Sequence, residues 1–192
     1  MKLLEDRIRR DGKILPGDIL KVDSFLNHQI DVKLIDELGE EFHRLFADTN
    51  PNKIVTIEAS GIAIAAATSR HFGSVPILFA KKTAASNMDG NTYQAKERSY
   101  TRNVEYTINI AKEYLGPQDR VLLIDDFLAN GEAMVALINI CEQAGAKIEG
   151  IGAVICKTYQ PGRKRLEDLG YDVKILAKVK AMGDDGSIEF EE

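Results

Sequence analysis

Two adjacent carboxylates, Asp125 and Asp126, follow the apolar run Val121-Leu122-Leu123-Ile124 and precede Phe127-Leu128-Ala129-Asn130-Gly131-Glu132-Ala133. An acid pair can accept hydrogen bonds from two sugar hydroxyls or face a divalent cation. Gly131 lets the backbone approach a ligand closely, and a helix opening just after it leaves its first N–H groups free for an anion. The stretch therefore offers carboxylates to hydroxyls or a metal, and N–H groups to a phosphate. A sugar phosphate satisfies both. The same residue types also build a plain turn with a helix cap, and receiver domains and some Mg²⁺-dependent phosphatases carry acids at a strand end.

The elements that must hold this stretch can be read on either side of it. Val121–Ile124 has the branching of a strand buried on both faces, which places the acids where that strand leaves a parallel sheet. Lys53–Glu58 reads as another core strand, followed by Ala59-Ser60-Gly61 and a small-residue helix from Ile62 to His71, a second turn able to hold an anion. Val75–Ala80 gives a strand with Lys81 and Lys82 emerging at its end. Asp31 caps a helix to about Ala47, with Val32, Ile35, Leu38, Phe42 and Leu45 as its apolar stripe. After the acids come a helix ending near Gly145, a strand Ile148–Cys156 closed by Lys157, a short helix from Pro161-Gly162 to Gly170, and a strand Val173–Val179. Asp184-Asp185-Gly186 then turns into Ser187–Phe190. Between 83 and 106 a polar stretch with Ser86, Asn87, Asp89 and Gly90 predicts a flexible flap, and Tyr93–Ile110 alternates as antiparallel strands do. The order implies an α/β fold with a mostly parallel sheet flanked by helices, forming one domain over 1–192 with its core at 53–179.

Composition narrows the class. The 192 residues are 44% apolar and 29% charged, as in ordinary globular domains, and 25 basic against 30 acidic residues leave a net charge of −5. That balance argues against a general nucleic-acid footprint. The first ten residues are too charged for a signal peptide, and no apolar run reaches membrane-spanning length, so a cytoplasmic protein with no membrane partner is expected. Cys141 and Cys156 sit in apolar patterns and read as buried free thiols.

Val121–Ala133 resembles the phosphoribosyl-pyrophosphate signature of the type I phosphoribosyltransferases: apolar run, acid pair, short loop, helix. Leu20-Lys21-Val22-Asp23-Ser24-Phe25-Leu26-Asn27-His28-Gln29-Ile30-Asp31 is similar to the base-binding segment of that family's xanthine-using bacterial members. The resemblance implies purine salvage, with transfer of the phosphoribosyl group of 5-phosphoribosyl 1-pyrophosphate to xanthine to give xanthosine 5′-monophosphate and pyrophosphate. It implies that Asp125 and Asp126 hold the ribose hydroxyls, and that Ala129, Asn130, Gly131, Glu132 and Ala133 wrap the 5′-phosphate. Ala59, Ser60, Gly61 and Lys81 would attend the pyrophosphate. Leu20, Asn27, Lys157 and Phe127 would meet the purine, and residues 1–50 with the chain end would form a small hood over it. It also implies Mg²⁺ held through substrate oxygens and water rather than by a protein cage, and a homodimer.

Two departures from the broad family pattern stand out. Asn130 and Ala133 occupy places where many members carry Thr or Ser hydroxyls. Ala129 stands where hypoxanthine-guanine enzymes carry an acid, so it cannot take the purine proton. The rival classes are a salvage enzyme preferring guanine or hypoxanthine, and a regulator that senses the same sugar pyrophosphate and binds DNA. The latter would need a winged helix ahead of the sheet domain, where this chain has about fifty residues resembling the base-binding segment.

Overall fold

A computed structural model of the chain describes residues 1–83, 90–99, 104–183 and 185–191. Ser86, Asn87 and Asp89 of the expected flap, and Asp184 of the expected turn, lie outside the described residues. The elements run α1 (Lys2–Asp11), β1 (Lys13–Leu15), β2 (Ile19–Lys21), α2 (Val32–Leu45), β3 (Lys53–Ile57), α3 (Gly61–His71), β4 (Ile77–Thr83), β5 (Thr92–Ser99) and β6 (Val104–Ala111). They continue with β7 (Arg120–Leu128), α4 (Glu132–Ala144), β8 (Lys147–Lys157), α5 (Gly162–Asp168), β9 (Val173–Met182) and β10 (Ile188–Phe190).

The Ile-, Val- and Leu-rich runs make the centre of the sheet, as chains buried on both faces must. Its order is β10-β9-β8-β7-β3-β4-β6-β5. Strands β4, β3, β7, β8 and β9 are parallel, and β6, β5 and β10 add antiparallel edges. Alternation along the strands divides the core in two. Ile54, Leu122 and Ile124 pack with α1, α2 and α3, whereas Val55, Val121 and Leu123 pack with α4 and α5. The expected α/β sheet with helices on both faces is therefore the fold found.

Local chemistry sets the ends of these elements. Asp31 caps α2, its Oδ1 accepting from the Leu34 N–H at 3.2 Å. Val32, expected on the apolar stripe of α2, is instead 73% exposed, while Leu34 and Ile35 of the same turn carry the buried face. The strand expected at Val75–Ala80 begins at Ile77 and runs through Lys81 and Lys82. Those lysines do not emerge from the sheet, since β6 supplies a ladder for them, Lys81 opposite Asn109 and Lys82 opposite Ile108.

The N-terminal segment lies along the β9–β10 edge of the sheet. The Met1 amino group donates to the Leu176 carbonyl, and Arg9 stacks 4.6 Å from the Phe190 ring. β1 and β2 pair as a hairpin whose tip holds Gly17 and Asp18, both at positive φ. A single π-helical turn, Asp23–Asn27, leads from it towards α2.

Candidate active site

The site grows from a divergence between two strands. β7 pairs with β3 only from Val121 to Leu123, but with β8 as far as Leu128. Chain connections leave β3 for β4 on one side, while β7 lies on the other, so this is the switch point at which open α/β sheets bind ligands. The acids thus sit inside β7, paired on one side only, and not beyond its end as the sequence suggested.

Both carboxylates are buried and differently engaged. Asp125 Oδ1 accepts from the Asp126 N–H at 2.9 Å, and Asp126 Oδ1 accepts from the Phe127 N–H at 3.0 Å. Asn27 Nδ2 donates to Asp126 Oδ2 at 3.3 Å, which ties the N-terminal segment to the acid pair. Burial, and then the charge of Asp126, holds the Asp125 carboxyl well above the usual carboxylate range.

Across the crevice, α3 opens at Gly61 with no side-chain cap on Ser60, so its first N–H groups are not used by a capping side chain. A Cβ on Gly61 would lie 2.0 Å from Thr56 Oγ1 and 3.1 Å from Asp125 Oδ1, so only glycine lets the helix come this near the acid. Thr56 Oγ1 is buried there with no partner among the described residues. Ala59 is exposed and Ser60 half-buried. Lys81 is exposed one residue past Ala80, whose carbonyl accepts from the Glu58 N–H at 3.1 Å, so it stands beside the start of this turn.

On the near side, Ala129 and Asn130 are half-buried and Gly131 has φ 81°, with α4 starting at Glu132. The Glu132 carboxylate points away from the loop and pairs with Arg165 Nη1 at 2.6 Å. Beneath the loop lies Gly162, whose N–H donates to the Ala129 carbonyl at 2.9 Å. A Cβ on Gly162 would sit 2.2 Å from that carbonyl oxygen and 2.7 Å from the Gly131 nitrogen.

The third group approaches from the N-terminal hairpin. Leu20 is 7% exposed, and Phe127 packs on the same apolar cluster, with Val22 and Phe25. Lys157, at the end of β8 and 9% exposed, donates from Nζ to the Asp18 carbonyl and faces Asp18 Oδ2 at 3.5 Å. Asp18, Thr56, Gly162 and Arg165 were not singled out from sequence. The only signal for them was a Pro-Gly dipeptide before Asp18 and another at Pro161-Gly162, which reads as turn chemistry alone.

Among the described residues no three His, Cys, Asp or Glu side chains cluster as metal ligands, and no helix is long and apolar enough to cross a membrane. Cys141 and Cys156 are buried and unbonded, their thiols pushed up to about 12 and about 11 by burial.

Residues 21–186 match the family model described as phosphoribosyl transferase domain. Xanthine phosphoribosyltransferase 2 of Clostridium botulinum is 54% identical over 92% of this chain and 93% of its own. Xanthine phosphoribosyltransferases of Ruminiclostridium cellulolyticum and Bifidobacterium adolescentis are 50% and 49% identical, covering 100% and 99% of both chains. Among solved structures, the adenine enzyme of Giardia lamblia complexed with 9-deazaadenine superposes with a TM-score of 0.76 at 24% identity, over 91% of this chain and 97% of that one. The adenine phosphoribosyltransferase of Thermoanaerobacter pseudethanolicus gives 0.73 at 22%, over 91% and 99%. These two bear on the fold alone, whereas the family match and the identity of about half over nearly full length establish membership: the chain belongs to the phosphoribosyltransferase family.

Proposed function

We propose that the protein transfers the phosphoribosyl group of 5-phosphoribosyl 1-pyrophosphate to xanthine, giving xanthosine 5′-monophosphate and pyrophosphate in purine salvage. The observation that carries this reading is the meeting, in one crevice, of a buried acid pair with two helix starts that no side chain caps. The relatives named for xanthine supply the choice of base.

Asp125 and Asp126 accept from the ribose 2′- and 3′-hydroxyls. The loop Ala129–Ala133 wraps the 5′-phosphate with backbone N–H groups at the start of α4, and Glu132 contributes its amide while its carboxylate stays on Arg165. The bond from the sugar carbon to pyrophosphate breaks through an oxocarbenium-like state as the purine nitrogen attacks from the other side. Ala59–Gly61 amides and Lys81 stabilise the charge that builds on the departing pyrophosphate. Xanthine carries oxo groups at positions 2 and 6, so donors from Lys157 and Asn27 suit it, with Leu20 and Phe127 as apolar walls. Ala129 has no group to take the purine proton, and xanthine's own acidity eases its loss.

Mg²⁺ would be held with the substrate, through pyrophosphate oxygens and water near the Asp125 and Asp126 carboxylates, and would supply charge neutralisation on the leaving group. The expected flap at 83–106, closing over the site, would exclude water, which competes with the purine for the sugar. A cytoplasmic homodimer belongs to the same reading.

Asp126→Asn tests the ribose role. Losing a charge-assisted acceptor costs about 2 kcal/mol or more, so turnover is expected to fall on the order of 30-fold or further. The circular dichroism spectrum is expected to stay as in the wild type. Unchanged turnover would remove Asp126 from the reaction.

A further inference from the structure

We infer that Asp18, at the tip of the N-terminal hairpin, positions Lys157 for the base by clasping the loop that follows β8; the inference rests on the reading of Lys157 as a base-binding donor. Lys157 is buried, and a buried ammonium must find acceptors. It finds two on one residue, the Asp18 carbonyl and carboxylate. The same carboxylate accepts from the Tyr159 hydroxyl on Oδ1 and from Gln160 Nε2 at 2.9 Å on Oδ2. One side chain therefore gathers Lys157, Tyr159 and Gln160, which lie about 140 positions further along the chain.

The backbone of Asp18 supports this role. Its φ is 63°, in the left-handed region that non-glycine residues enter at a cost of roughly 1 kcal/mol. Glycine would fill such a turn position without strain, so the side chain is what Asp adds there. Two residues on, Leu20 is buried against the same cluster as Phe127, and the β1–β2 register holds it opposite Ile14. Fastening the tip at Asp18 thus fixes Leu20 and Lys157 relative to one another. Without the carboxylate the tip is no longer fastened to Tyr159 and Gln160, so the carbonyl that meets Lys157 loses its fixed place and the lysine must lose rotamer freedom each time a base binds.

The Asp18 side chain is 42% exposed, and ion pairs that open to solvent add little to global stability. Its effect should appear in base affinity. Asp18→Ala is expected to raise KM for xanthine about 10-fold, leave kcat and KM for phosphoribosyl pyrophosphate within twofold, and shift Tm by no more than about 2 °C. Asp18→Asn tolerates the left-handed turn and keeps an acceptor oxygen, so it should fall between Ala and wild type. In a Lys157→Ala background, Asp18→Ala should add little further to the xanthine KM. An unchanged xanthine KM, a parallel rise of both KM values, or an undiminished effect in the Lys157→Ala background would each overturn the clasp. A wild-type enzyme that turned over no purine would instead overturn the function on which it rests.

Discussion

At the scale of single residues, the acid pair divides its work because its two members have different neighbours. Asp125 lies against Gly61 and the Thr56 hydroxyl, which has no partner among the described residues, while Asp126 meets the Asn27 amide. With its carboxyl held above the usual range, Asp125 binds its proton more tightly folded than unfolded. Such a group contributes stability below its unfolded value and loses it as pH rises through the folded one. Asp125→Asn keeps the acceptor for the Asp126 N–H and removes the buried charge. The variant is expected to lose activity yet melt at least about 2 °C above wild type at pH 8, with the gain shrinking towards pH 4. Thermal melts across that range check it; a lower Tm at pH 8 would contradict the picture of a charge ionised at a cost. The pair was legible in sequence as a candidate because two acids follow four apolar residues directly, although a turn with a helix cap uses the same residue types. Asp18 was not, since its partners are fixed only when β8 and the hairpin meet.

At the scale of elements, the Ala129–Ala133 loop, proposed to hold phosphate, rests on a helix outside the signature. Gly162 opens α5 directly under Ala129 and Gly131, and Arg165, one turn further, holds Glu132. Alanine is ordinarily a better helix residue than glycine, so a loss on Gly162→Ala would come from the loop. A Cβ there meets backbone atoms at 2.2 and 2.7 Å, which must move. The variant is expected to raise KM for phosphoribosyl pyrophosphate at least ~10-fold, with xanthine KM affected less, as steady-state kinetics would show. Equal KM values for variant and wild type would detach α5 from the loop. Strand and helix cores were readable from branching and periodicity. Their ends were not, because pairing partners decide them: β6 extends β4 through Lys81 and Lys82, and β8 carries β7 past the acids after β3 has left.

At the scale of the whole molecule, the crevice is assembled from parts distant in sequence. The sheet supplies the acid pair and the two turns proposed to hold anions within β3–α3 and β7–α4, which is why this half of the candidate site could be read from two short stretches. The proposed base side needs the hairpin, the π-helical turn and the end of β8 to converge, and periodicity carries no information about that convergence. In the proposed function, the N-terminal segment contributes to the choice of purine. The most direct measurement offers xanthine, guanine and hypoxanthine together at equal concentration with 5-phosphoribosyl 1-pyrophosphate and Mg²⁺, and identifies the nucleotides formed. Xanthosine monophosphate is expected to predominate; a predominance of guanosine or inosine monophosphate would contradict the assignment of this site to xanthine.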